Sequence, residues 1–253
     1  MKQALGFLVA SMMITPTAYT ADELLHEKGI TPLISTAQTV GGQGIELDLY
    51  SEVQVYSYVL NPGQKLPVHM HRYQRFVYIM SGAVNHIEVE KDKTTEYKAG
   101  SFIAEERDNW HTATVAGTEP AHMLIVDFVP KGTASNIVLQ DTRITPPKRD
   151  IKVYDTTMSG QPLSLPASAE IRSLLYATGP KTNFPVHKHS YPRMLYILDG
   201  EMDIIDSESH EIRTLRKGDF LIESVNRWHW GENNGKTPVK MLVLDVVPKN
   251  SGN

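Results

Sequence analysis

The hydrophobic positions along the chain fall into short strand-like runs. Residues 53–60, 76–80, 83–90 and 122–129 are rich in β-branched and aromatic side chains, and residues 171–178, 194–198, 201–206 and 240–247 form a second such series. Turn-forming residues punctuate both: Asn61-Pro62-Gly63, Ser81-Gly82 and Ala99-Gly100 in the first, Gly179-Pro180 and Asp199-Gly200 in the second. Many short strands without a helical period predict an all-β sandwich or barrel. A short helix over residues 21–28 is the one helical expectation, and the polar stretch 132–150, with Thr145-Pro146-Pro147, reads as a linker.

The two series are copies of one unit. His69-Met70-His71 recurs as His187-Lys188-His189, and the same 118-residue step from 69 to 187 carries Tyr73 to Tyr191, Arg75 to Arg193 and Tyr78 to Tyr196. It also carries Gly82 to Gly200, Glu105 to Glu223, Trp110 to Trp228, His111 to His229 and Asp127 to Asp245. No gap is needed from Thr39/Thr157 to Lys131/Lys249, so the chain divides into two domains, residues 21–135 and 136–253.

Candidate chemistry follows from the repeat. Histidines at i and i+2 of a strand project from one face, so His69/His71 and His187/His189 are each a pair of imidazoles aimed the same way. Each pair is followed forty residues on (71 to 111, 189 to 229) by a third histidine, expected at the end of the strand that opens at Gly100 or Gly218. A small barrel can bring the two strands face to face. His69, His71, His111 and His187, His189, His229 are therefore two candidate metal triads, holding six of the ten histidines. With no cysteine in the chain, disulfides, thiolate ligands and a cysteine nucleophile are excluded.

Composition narrows the function. The chain has 253 residues, 41% hydrophobic and 21% charged, with a net charge of -4 and no basic cluster, which argues against a nucleic-acid partner. Residues 1–20 have a basic start, an apolar run and a small-residue end, the layout of a cleaved signal peptide; the run is too short to span a bilayer. The expectation is a periplasmic or secreted protein with no membrane contact after cleavage.

At these residues the chain resembles the cupin superfamily. Gly63, His69, His71 and Gly82 match the first cupin motif and Gly100 and His111 the second, while His187, His189, Gly200, Gly218 and His229 match in the second copy. The resemblance implies a bicupin: two tandem jelly-roll β-barrels forming an intramolecular pseudo-dimer, each with a metal inside. The departures are three. The family's metal-binding glutamate is replaced by Arg75 and Arg193; its Pro-x-Gly turn becomes Glu106-Arg107-Asp108 and Ser224-Val225-Asn226; and Lys181 stands at the position of Gly63.

Three neutral imidazoles leave a divalent ion its full charge, and a nearby arginine would add to it, so an anion is needed. It is either internal, with Glu105 and Glu223 pairing the arginines, or a substrate carboxylate held by Arg75 or Arg193; a third option leaves the arginines in solvent. Tyr73 and Tyr191 are candidate proton carriers beside Glu105 and Glu223. Trp110, Trp228, Tyr78 and Tyr196 read as core or rim, and Asp127 and Asp245 as turn or pairing residues. The cofactor expected is a divalent transition metal, up to two per chain, iron or manganese before zinc, nickel or copper. Three histidines with open positions suit dioxygenase-like oxidation of a small acidic or phenolic metabolite. Isomerase or lyase chemistry fits the same residues, and a non-catalytic periplasmic binding protein for metal or small ligand is the alternative of another class. A homodimer stays open, because the repeat already pairs its own barrels.

Overall fold

The computed structural model describes residues 29–134, 136–144 and 149–249. The signal-like segment and the helix expected over 21–28 lie outside them. Among the described residues there is no helix, and none is long and apolar enough to cross a membrane.

Each copy folds into two antiparallel sheets. In the first copy the larger sheet runs in the order Lys152–Tyr154, Ser51–Leu60, Ala121–Pro130, Arg75–Ser81, Phe102–Glu105. Its companion runs Ile137–Leu139, His69–His71, His111–Val115, Ala83–Glu88, Lys93–Lys98. The second copy repeats this with Ile30–Thr36, Ala169–Thr178, Val239–Pro248, Arg193–Asp199, Phe220–Ile222, faced by Thr182–Asn183, His229–Asn233, Glu201–Asp206, Ile212–Arg216. The fold is thus all-β, two tandem jelly rolls in one chain.

The long strands read as nearly continuous apolar runs because both of their faces are buried. Side chains alternate across a strand. Val53, Val55, Phe76, Val126 and Phe128 point away from the first barrel and pack with Ile171, Met194, Leu244 and Val246 of the second in one shared core. The intervening Tyr56, Val77, Ile79, Met123 and Ile125 line the interior of the first barrel, and Leu174, Tyr176, Leu195, Ile197 and Val243 that of the second.

Sheet pairing crosses the division drawn at residue 135. Ile30–Thr36 lies along Ala169–Thr178 of the second barrel, with Ile34 opposite Ser173 and Thr36 opposite Ile171. Lys152–Tyr154 lies along Ser51–Leu60 of the first, with Lys152 opposite Val55 and Tyr154 opposite Val53. These pairings are related by the same 118-residue step (34 to 152, 55 to 173), so each copy lends its first strand to the other. The stretch 132–150 is also more than a linker: Ile137–Leu139 pairs in register with His69–His71.

The departures from the cupin turns keep the backbone they replace. Asp108 and Asn226, at the family's glycine, have φ of 57° and 58°, and Lys181 has 58° where Gly63 has 80°. Asn and Asp tolerate that left-handed region better than other side chains, which accounts for two of the three.

Because the core and the edge strands are shared, heat should unfold both barrels in one transition. Calorimetry should give equal van't Hoff and calorimetric enthalpies; two resolved transitions would contradict it. Phe76, fully buried between the copies, should cost roughly 3–5 kcal/mol when replaced by alanine, read from denaturant unfolding.

Candidate metal centres

His69 and His71 are buried on one face of their short strand while Met70 between them is only half-buried. The third histidine opens the adjacent strand rather than ending the Gly100 strand, which stops at Glu105. His111 sits directly opposite His69 in register, and His187 bridges His229 in the same way. The turn between is fastened to the first strand: Asp108 N–H donates to the His71 carbonyl at 2.8 Å and Asn226 N–H to the His189 carbonyl at 2.7 Å. The imidazoles converge, with ring centroids 4.4–5.0 Å apart in the first copy and 4.6–5.1 Å in the second.

Backbone carbonyls set the tautomers. Nδ1 of His69 meets the Pro67 carbonyl at 2.8 Å and Nδ1 of His111 the Asn109 carbonyl at 2.8 Å. In the second copy His187 meets Pro185 at 2.8 Å and His229 meets Arg227 at 2.9 Å. A carbonyl only accepts, so in these four histidines Nδ1 carries the proton and Nε2 presents a lone pair inward. Nε2 of His71 and Nε2 of His111 then stand 3.2 Å apart, with a Glu105 oxygen 3.1 Å from the former. In the second copy Nε2 of His189, Nε2 of His229 and Oε2 of Glu223 are buried without any hydrogen-bond partner, the carboxylate 3.1 and 3.4 Å from the two nitrogens. Buried lone pairs facing one another repel unless a cation lies between them. His187, His189, Glu223 and His229 bring their donor atoms within 4.8 Å of each other, as do His69, His71 and His111. The residues therefore fit a divalent metal in each barrel.

The carboxylate expected to pair the arginine does not. Arg75 stands between Glu105 and Asp127 in one cross-strand row. Its Nε and Nη2 donate to the two oxygens of Asp127 at 2.6 Å each, and Nη2 also donates to the Tyr56 hydroxyl at 2.7 Å. Arg193 grips Asp245 likewise, at 2.5 and 2.7 Å. A bidentate acid on the neighbouring strand satisfies the guanidinium and leaves Glu105 and Glu223 to the histidines. Neither arginine is in solvent, and neither has its fork free for a substrate carboxylate. Asp127 and Asp245 are pairing residues.

Electrostatics follow from burial. Burial, with neighbouring imidazoles adding to it, pushes His69 down to about 2 and His187 to about 3. Burial and Arg75 push His71 to about 3. Burial likewise lowers His189. His229 goes the other way: burial opposes its charge, but Glu223 outweighs it. Burial works against the charge on Glu105 and Glu223 as well, yet the adjoining histidines hold both well below the usual carboxylate range.

The two barrels differ in what lies beside the donors. The first has a cavity of about 70 Å³, walled by apolar side chains that include Leu66, Val84, Ala113 and Ile137, with His69, His111 and Glu105 at one side. The second has about 30 Å³. The repeat shows why: Leu66 becomes Phe184, Val84 becomes Met202 and His86 becomes Ile204. Gly231, in place of Ala113, makes room for them; a Cβ there would lie 3.1 Å from Phe184 and 3.3 Å from Met202.

His86 escaped the sequence reading because it has no counterpart to mark it. Its buried Nε2 has no hydrogen-bond partner and lies 3.9 Å from Glu105, and His86, Glu105 and His111 form a second donor group sharing His111 with the first. Tyr56 was also missed, since its counterpart is Leu174. Tyr73 and Tyr191 do not join either centre. Tyr73 lines a separate outer groove with Arg107 and Phe128, and Tyr191 is 38% exposed. Trp110 and Trp228 line neither cavity; Lys188 lies over the Trp228 ring.

Comparison with known proteins agrees with the fold. The Cupin domain family matches residues 56–127 and 174–246, together more than half of the chain. No curated protein matches it in sequence. Oxalate decarboxylase from Bacillus subtilis at pH 4.6 superposes with a TM-score of 0.57 at 15% identity, over 88% of this chain and 78% of its own. The formate complex of Lactobacillus farciminis oxalate decarboxylase gives 0.57 at 13%, over 79% and 80%. AerE from Microcystis aeruginosa gives 0.55 at 14%, over 77% and 88%. At such identities the likeness is one of fold.

Two outcomes follow. Asp127→Asn leaves a buried guanidinium without its counter-charge and should cost roughly 3–5 kcal/mol of stability, read from urea unfolding. In metal-stripped protein, His69, His71 and His187 titrate far below the 6.5 of an unfolded histidine. The unfolded chain therefore takes up protons first as pH falls, so stability drops progressively below about 6.5. The depressed Glu105 and Glu223 add to the loss in more acid solution, while His229 opposes it. Thermal unfolding of stripped protein at pH 7.5 and pH 5 should show the fall, and metal loading should lessen it.

Proposed function

We propose, since the chain belongs to the cupin family and carries two inward-facing donor sets, that it is an exported metal-dependent enzyme acting on a small acidic or phenolic metabolite. The first barrel is its reaction centre. The observation that carries this reading is the juxtaposition in that barrel alone of converging Nε2 atoms, a carboxylate beside them and a cavity with room for an organic molecule. A volume of about 70 Å³ holds several water positions, against the one or two that about 30 Å³ allows.

His69, His71 and His111, with Glu105 beside them, would hold the metal in the first barrel; His187, His189, His229 and Glu223 would hold it in the second. Imidazoles with a carboxylate suit iron or manganese. Such an ion, when bound, supplies Lewis acidity and one-electron chemistry at the cavity wall. The protein's own residues do the rest. The apolar wall excludes water and strengthens every charge interaction inside it. Glu105, ionised and within 3.1 Å of His71, is the group placed to take or return a proton. The second centre, walled in by Phe184, Met202 and Ile204, holds its metal structurally. Export rests on the basic, apolar and small-residue layout of residues 1–20.

Dioxygenase-like oxidation is the reaction the donor set first suggests. A second reading, carbon–carbon cleavage without net oxidation, is favoured by Glu105 standing beside the donors as a proton carrier, and the decarboxylases that share this fold make it worth testing alongside.

Elemental analysis of protein purified from the exported fraction should find about two equivalents of iron or manganese per chain, with His71→Ala and His189→Ala each removing about one. Oxygen uptake and carbon dioxide release, followed together over a panel of small organic acids and phenols, separate the two reactions. Turnover abolished by His71→Ala but kept in His189→Ala places the chemistry in the first barrel. Metal content unchanged by both substitutions would overturn the reading.

A further inference from the structure

Among the described residues, Arg149 is the one arginine lining the first cavity that no carboxylate pairs. It lies in the segment between Ile137–Leu139 and Lys152–Tyr154, half-buried, and lines the cavity with its guanidinium 5.5 Å from the Tyr56 ring. The other guanidinium near that ring is not free: Arg75, 5.7 Å from it, is held by Asp127 and by the Tyr56 hydroxyl. No carboxylate among the described residues pairs with Arg149, and its guanidinium has no hydrogen bond among them. Among the described residues, the arginine lining the second cavity is Arg193, and it is held by Asp245. Much of the remaining lining is apolar, including Leu66, Val77, Val84, Ile125, Ile137 and Leu139.

We propose that the first cavity selects a small monocarboxylate with an apolar body, and that Arg149 holds the carboxylate. This rests on the reading of that cavity as the reaction centre and names its substrate class. A half-buried guanidinium beside an apolar chamber is poorly solvated, and its planar fork matches a carboxylate. Charge accounting agrees. Asp127 neutralises Arg75, and Glu105 offsets one unit of a divalent ion, so Arg149 remains as the uncompensated positive charge of the protein wall. The apolar lining supplies the remaining selectivity. A dicarboxylate would bring a second charge into a chamber lined largely by Val, Leu and Ile side chains. An uncharged ligand would leave the guanidinium unpaired.

Titration calorimetry on the protein with the metal it is purified with tests this directly, with benzoate and isobutyrate as probes, benzamide and isobutyramide as their neutral counterparts, and oxalate for comparison. At least one acid should bind, its amide at least about tenfold more weakly, and oxalate more weakly than the acid. Arg149→Gln should weaken the acid roughly 10- to 100-fold and leave the amide unchanged, while Arg149→Lys recovers part of the loss. The proposal is overturned by an Arg149→Gln variant that binds the acid as the wild type does, by amides that bind as well as acids, by oxalate binding tighter than either acid, or by no acid binding at about 10 mM. Repeating the titration on metal-stripped protein separates this inference from the metal reading. Dependence on Arg149 without dependence on metal keeps the carboxylate site and removes the metal from it; dependence on metal without dependence on Arg149 does the reverse.

Discussion

Burial of both faces of the two large sheets is the constraint from which the rest of the structure follows. A strand covered on one side needs apolar residues only at alternate positions; here every position must be accounted for. One alternation joins the barrels through Val53, Phe76, Val126, Ile171 and Met194, and the other shapes the chamber in which the donors sit. Any polar group on the inward alternation must find its partner within the sheet. That requirement ties Arg75 to Asp127 and Arg193 to Asp245. It also leaves Glu105 and Glu223 to the histidine cluster. The donor sets are therefore a product of the sheet's own arrangement of charges as much as of the histidine spacing.

What could be read in the sequence was whatever had a short period or a repeat. The paired histidines are legible because side chains alternate, and the third because the same step carries it through both copies. Cross-strand neighbours are not legible. Glu105 was visible as a repeated residue, but that Arg75 stands between it and Asp127, and turns to Asp127, depends on register between strands far apart in the chain. Reliance on the repeat also hid what breaks it. His86, Tyr56 and Arg149 distinguish the first barrel from the second, and a residue without a counterpart carried no mark. Ile137–Leu139 is not legible, because three residues in a polar stretch show no alternation long enough to recognise.

The two barrels began from the same plan and now differ by a few side chains. Phe184, Met202 and Ile204 fill the space that Leu66, Val84 and His86 leave open, with Gly231 yielding to them. The histidines, the glutamate and the arginine pair are kept in both. Loss of room without loss of donors is what a site retained for holding its ion, rather than for admitting a ligand, would show.

The reciprocal loan of Ile30–Thr36 and Lys152–Tyr154 has a consequence for what a single repeat could be. Cut from its neighbour, one copy would expose an unpaired edge and a bare apolar sheet, and would also carry a loose strand fitting that same edge on another molecule. Two such molecules would satisfy each other by a symmetric swap. The present chain is that embrace written into one polypeptide. Fusion frees it from the identity that symmetry imposes, since in a homodimer any change to one chamber is a change to both. Only in the fused form could one chamber be filled while the other stayed open.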